Sequence, residues 1–376
     1  MRGKNTLFSA AVILLVLGSP VFAYQQIIDL GTLGGKGSCA YSINDKGQII
    51  GWADYNPNTD SGGSKRACLF DATGGGANIS LQSGSLAFGV AQSINNNGQI
   101  VGWALSYPGG NEYACLFDPT GGGANKTLVS SSSIASHAYS INDNGQIVGY
   151  FKNNSSQDRA CIFDPTGNGA NKDLGTLGGT QSCAFSVNNN GIIVGSAYLN
   201  STFPYISHAC LFDSSGNGAN IDLGTLGDNT TAYANAINNN NQIVGYTYKP
   251  GLPVNNIHAC LFDSSGNIDL GTLGMSGAEA TSINDLGQIV GWSMYSNAPP
   301  HACLFDPTGQ GNNIDLNTLI DQSSGWTLNY AYCINNSGWI VGQGTYNGYA
   351  RAFLLTPEPA TLLFFGLGIS LLRRKK

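Results

Sequence analysis

The decapeptide Ser42-Ile43-Asn44-Asp45-Lys46-Gly47-Gln48-Ile49-Ile50-Gly51 returns with small changes at Ile94-Asn95, Ile141-Asn142, Val187-Asn188, Ile237-Asn238, Ile283-Asn284 and Ile334-Asn335. These seven copies lie 46 to 51 residues apart. They constrain the fold more tightly than any single motif, because such a period marks a serial array of supersecondary units. Each copy reads as strand, tight turn, strand. The Asn/Asp-rich turn ends in glycine (Gly47, Gly98, Gly145, Gly191, Gly287, Gly338), which adopts the positive φ that such a hairpin requires. Asn241 stands there in the fifth copy, and asparagine is the next best residue for a left-handed position.

Two further segments share the period. Asp29-Leu30-Gly31-Thr32-Leu33 returns at Asp173, Asp222 and Asp269 and as Asp315-Leu316-Asn317-Thr318-Leu319, with degenerate copies at 79–81 and 127–129. Ala67-Cys68-Leu69-Phe70-Asp71 returns at Ala114, Ala160, Ala209, Ala259 and Ala302, and the last copy is Ala352-Phe353-Leu354-Leu355. One repeat thus holds four short strands in roughly 48 residues, the size of a propeller blade. The array opens with the fourth kind of strand (27–33) and stops after the third (351–355). Seven complete blades form only if the first strand joins the last blade, which closes the ring without open edges. The expected fold is all-β, a seven-bladed β-propeller of four-stranded blades closed by its N-terminal strand. An open β-solenoid is the rival, and it gives no reason to split a repeat between the two ends.

Composition points the same way. Charged residues are 10% and glycines number 52, so long helices with charged faces have no material outside the two ends. A hydrophobic share of 42% is too high for a disordered Gly/Ser chain. Six of the 16 basic residues sit at the ends (Arg2, Lys4, Arg373, Arg374, Lys375, Lys376), leaving 10 against 22 acidic residues. A body so acidic argues against nucleic acid as a partner.

The ends carry addresses. Residues 1–23 read as a signal peptide: Arg2 and Lys4, an apolar run over 10–17, and a Val21-Phe22-Ala23 cleavage site before Tyr24. The repeat body is expected over 24–355. Over 356–376, Thr356-Pro357-Glu358-Pro359 precedes thirteen mostly apolar residues and Arg373-Arg374-Lys375-Lys376. Apolar helices are expected at both ends. The C-terminal one, at about 20 Å, would be a short transmembrane helix against a core of roughly 30 Å. This segment resembles the PEP-CTERM sorting signal of Gram-negative bacteria. The resemblance implies recognition by an exosortase-type membrane protease at Pro357, Glu358 and Pro359. It further implies transient anchoring in the inner membrane, then cleavage and release to the cell surface or extracellular matrix. The body, over about 27–355, resembles the HAF family of probable extracellular repeats. His208-Ala209-Cys210, His258-Ala259-Cys260 and His301-Ala302-Cys303 carry Cys where the family name has Phe. That resemblance implies an exported repeat protein and no activity.

Residues with chemistry are mostly locked to the repeat. Of nine cysteines, six (Cys68, Cys115, Cys161, Cys210, Cys260, Cys303) hold one equivalent position. Neighbouring blades set them beyond the roughly 7 Å Cα limit of a disulfide, so they are expected as core residues. Three of four histidines precede Ala-Cys, and His137 lies in Ser-His-Ala-Tyr-Ser. No nucleophile elbow or metal-binding histidine pair occurs. Asn142-Asp143-Asn144-Gly145 lacks the rest of an EF-hand and reads as a hairpin turn. Carboxylates outside the repeat pattern are Asp54, Asp60, Asp158, Asp228, Asp321, Glu112 and Glu279, read as scattered over different loops. No catalytic residue, cofactor or metal ligand is assigned.

The expectation is a non-enzymatic surface or biofilm-matrix module that displays loops to extracellular polysaccharide or another envelope component. The variable loops 55–65, 106–113, 152–158, 198–207, 248–257 and 293–300 all join second to third strands and should gather on one face. The alternatives are a secreted glycan hydrolase or lyase with its site at the propeller mouth, which a carboxylate pair would favour, and a purely structural spacer.

Overall fold

The computed structural model describes residues 24–55, 64–82, 88–105, 110–129, 135–203, 205–227, 230–249, 257–274, 277–294 and 299–357. They form seven four-stranded antiparallel sheets, the blades of a propeller. Six blades are consecutive in sequence; blade 1 holds Gly34–Ile43, Ile49–Tyr55, Ser64–Phe70 and Ile79–Ser80. Blade 7 is composite. Its first three strands are Trp326–Ile334, Ile340–Tyr346 and Tyr349–Pro357, and its fourth is the N-terminal strand Tyr24–Asp29. That strand pairs antiparallel with the last one, Ile27 opposite Leu355 and Tyr24 opposite Pro357. Arg351 donates two bonds from Nη2 to the Asp29 carboxylate, at 3.0 and 2.8 Å, and locks the closure.

Each hairpin between first and second strands is set by its turn chemistry. In blade 1 the Gly47 amide donates to the Asn44 carbonyl and the Asn44 side chain accepts from Lys46 and Gln48. Gly47 lies at φ 77° and Asn241 at φ 66°, the left-handed conformation expected of that position. A β-bulge interrupts every first strand, between Ala40 and Ser42 in blade 1. The second-strand glycine beside it is obligatory: a Cβ on Gly51 would lie 2.0 Å from the Cys39 carbonyl oxygen.

The apolar core sits between blades. Ile50, Ala67 and Leu81 of blade 1 pack against Ala91, Ile94, Ile100, Cys115 and Phe117 of blade 2, and equivalent clusters recur around the ring. The closure is packed in the same way, Leu30 and Leu354 meeting Ala40, Ile49 and Phe70. All nine cysteines are free thiols, and seven are fully enclosed. Burial pushes the Cys115 thiol up to about 12, so it behaves as a small apolar residue.

The connection from blade 6 to blade 7 departs from the repeat. Asn317 stands where four other copies have glycine, and its side chain both accepts from the Leu328 amide and donates to the Leu328 carbonyl. The chain there forms two short 3-10 turns, Leu316–Leu319 and Gln322–Ser324. The apolar helices expected at the two termini lie outside the described residues. Among the described residues no helix is long and apolar enough to cross a membrane.

Candidate functional site

The first strands line the axis, and the channel has two unlike ends. At the turn end, the first asparagine of each hairpin donates from Nδ2 to the carbonyl of its counterpart one blade on. The series runs Asn44 to Asn95, Asn142, Asn188, Asn238, Asn284 and Asn335, and back to Asn44, at 2.9–3.1 Å. The next residue adds a second closed ring, each backbone amide donating to the neighbouring side-chain oxygen, from Asp45 to Asn96 and finally from Asn336 to Asp45. One or two asparagines stand between successive aspartates Asp45, Asp143 and Asp285 in this ring, so amide groups separate the three carboxyls. Burial would raise the Asp143 carboxyl, but bonds from Asn96 and Asn189 carry it below its ordinary value. The rings surround a polar cavity of about 210 Å³. Here every polar group answers another, the arrangement of a structural staple.

The other end differs. There the bulged first strands each direct one residue into the channel: Tyr41, Gln92, Tyr139, Phe185, Asn235, Thr281 and Tyr332, from blades 1 to 7 in order. With Glu279 they line a cavity of about 260 Å³. Blades 7 and 1 stand across the ring from blades 3 and 4, so two aromatic pairs face each other. Tyr41 and Tyr332 meet edge to face at 5.0 Å, and Tyr139 and Phe185 lie 5.7 Å apart. The aromatic lining continues outward through Tyr330 and Trp292 on one side. On the other it runs through His137, which stacks on Trp103 at 4.9 Å. Burial holds the Tyr139 and Tyr332 hydroxyls far above their ordinary range, so both remain neutral.

Among the described residues Glu279 is the one carboxylate lining this cavity. It lies on the first strand of blade 6, Ala278–Ile283, and not in a loop as the sequence pattern suggested. Trp292 Nε1 donates to it at 3.1 Å and Asn235 Nδ2 at 2.9 Å. Burial raises its carboxyl above the usual glutamate value, and those two neutral donors only partly offset the effect.

Asp54, Glu112 and Asp158 likewise lie on strands and not in loops, within Ile49–Tyr55, Glu112–Phe117 and Asp158–Phe163, and the remaining outlying carboxylates are committed elsewhere. Asp54 is buried and accepts from the Gly37 amide at 2.8 Å, and Asp321 caps the second 3-10 turn. Asp158 pairs with Lys152 at 2.6 Å, and Glu112 bonds His137 Nε2 at 2.7 Å. Asp60 and Asp228 lie outside the described residues. Three histidines are scaffold: His208, His258 and His301 bridge third to fourth strands through Asp222, Asp269 and Asp315. Arg159 and Arg351 occupy the same position opposite Asp173 and Asp29. Among the described residues no group of three or more His, Cys, Asp or Glu is placed to hold a metal ion.

In blade 1 the ends of the second and third strands lie at the aromatic end, since Tyr55 pairs with both Gly34 and Ser64. Of the second-to-third-strand loops, 152–158 is described in full and 198–207 except for residue 204. The latter carries Phe203, 86% exposed, edge to face with Tyr205. Of the processing residues, Pro357 ends the last strand opposite Tyr24; Ala23, Glu358 and Pro359 lie outside the described residues. The seven axial positions carry a sequence signal of their own. Each follows the alanine that every first strand keeps and changes chemically from copy to copy, as does the residue before that alanine, where Glu279 stands.

No family model matches the chain, and no curated protein matches it. Solved structures do. The β-propeller domain of the Trilobed protease from Pyrococcus furiosus, described with an open velcro topology, aligns over 85% of this chain and 96% of its own. The TM-score is 0.55 at 11% identity, a likeness of fold. TolB from Acinetobacter baumannii aligns over 73% of this chain and 62% of its own, with TM-score 0.45 and 12% identity. XC5397 from Xanthomonas campestris, a gluconolactonase, gives 0.39 at 10% identity over 73% of this chain and 91% of its own.

Proposed function

We propose that this chain is an exported, non-enzymatic glycan-binding propeller of the cell surface or biofilm matrix, with its ligand site in the aromatic end of the channel. The observation that carries the reading is the pair of facing aromatic walls, Tyr41 with Tyr332 and Tyr139 with Phe185. Aromatic faces beside fixed polar groups suit the alternating apolar and hydroxyl faces of a sugar ring. Phe203 and Tyr205 extend aromatic surface to the rim. The test is titration of the purified full chain with the producer's own extracellular polysaccharide, followed by tryptophan fluorescence. Saturable binding weakened by Tyr332→Ala is expected; no binding, or binding indifferent to Tyr332 and Tyr139, removes the reading.

The location belongs to the same proposal. Removal of residues 1–23 after Ala23, and exosortase-type cleavage at Pro357, Glu358 and Pro359 after transient anchoring, would release the body. Intact mass of the protein from its host tests this. A species retaining the basic tail in the inner membrane fraction contradicts it.

Glu279 favours one second reading, a glycan-active hydrolase or lyase in which the raised carboxyl serves as proton donor. Cleavage products from the polysaccharide that vanish in Glu279→Gln would establish it. Binding without products would leave the non-enzymatic reading in place.

A further inference from the structure

We propose that the axial cavity is an aromatic cage for an organic ammonium group, and that its ligand is an amino sugar bearing a free, protonated amine. The inference rests on the glycan-binding reading and narrows its ligand class. Aromatic faces attract cations through their quadrupole, and rings on opposite walls add their attraction at one central point. Here Tyr41 and Tyr332 form one wall and Tyr139 and Phe185 the other. Glu279 lies on a flank between them.

The state of that carboxylate is the second argument. It is half-buried, and its described partners, Trp292 and Asn235, are both neutral. Among the described residues no lysine, arginine or histidine lines the cavity or pairs with Glu279. A half-buried carboxylate without a cation is an incomplete pair, and burial of charge without a partner is costly. Asp269, by contrast, pairs with both Lys249 and His258. A ligand ammonium seated between the aromatic walls supplies the missing charge. Uronic acids and phosphorylated sugars would meet the carboxylate with like charge and no compensating cation.

The experiment is calorimetric titration of the full chain with glucosamine oligomers and with N-acetylglucosamine oligomers of equal length, at a pH where the free amine is protonated. The expected result is a preference of about tenfold or more for the amine. The preference should persist at high salt, which screens a general attraction to an acidic surface but acts much less on an enclosed pair. Tetramethylammonium should compete, and Glu279→Gln should remove the preference while neutral oligomers still bind. N-acetylated oligomers binding as tightly as the amines, or a preference that salt abolishes in the unaltered chain, overturns the inference and leaves the glycan-binding reading standing. If neither series binds and the producer's polysaccharide also fails, both fall.

Discussion

Glu279 and the hairpin asparagines show what single residues do here. Both are polar, but the asparagines are buried and answered on every side, while Glu279 is half-buried with neutral partners alone. Asn238 accepts from Asn240 and Gln242 and donates to the Asn284 carbonyl at 2.9 Å. Asn238→Ala leaves an amide pair and a carbonyl unmatched inside the structure, and should cost about 1–3 kcal/mol in urea denaturation. Glu279 should behave in the opposite sense. Its folded-state pKa is raised, so the folded protein holds the proton more tightly than the unfolded chain does. Stability is therefore lost as pH rises through the interval between the unfolded and the raised folded value. Glu279→Gln should melt at a higher temperature than the unaltered chain at neutral pH, with the gap closing on acidification below about pH 4. A carboxylate kept at a cost to stability is what a binding residue would show, and a variant that melts lower at neutral pH would contradict this account.

The strand and its turn are where the sequence was most legible. Gly47 and its equivalents announced left-handed turn positions, and Asn241 conformed at φ 66°. The repeat of Gly51 was equally visible, but its reason was not, because a bulge is a relation between two strands. A Cβ at the equivalent Gly195 would lie 2.0 Å from the Cys183 carbonyl oxygen. Gly195→Ala should therefore destabilise by about 2 kcal/mol or more, measured by thermal and urea unfolding, although alanine is the smallest change available. The same bulge hid the candidate site. Alternation alone does not tell which face of a bulged strand meets the axis, so the variable residue between Ala and Ser reads as a filler. Tyr41, Tyr139 and Tyr332 acquire meaning only when seven strands are set side by side. Glu279 stood out by its type, but its neighbours in space come from blade 5 and from the second strand of its own blade.

The whole molecule is a ring whose last blade borrows its outer strand from the other end of the chain. That was inferable from the phase of the repeats and is what the pairing of Ile27 with Leu355 delivers. Ile28→Pro, which removes an amide from the middle of the closing strand, should destabilise the protein by about 3 kcal/mol and open blade 7 to limited proteolysis first. The ring also gives the two ends of the channel different work. The turn end is fastened by two complete circuits of side-chain and backbone bonds, while the aromatic end is left with rings, amides and one carboxyl around open space. The most direct test of that division is a structure of the full chain with an oligosaccharide cut from the producer's extracellular polysaccharide. The account predicts a sugar residue held between Tyr41–Tyr332 and Tyr139–Phe185 beside Glu279. A ligand bound at the asparagine rings or on the outer strands, with the aromatic cavity empty, would contradict it.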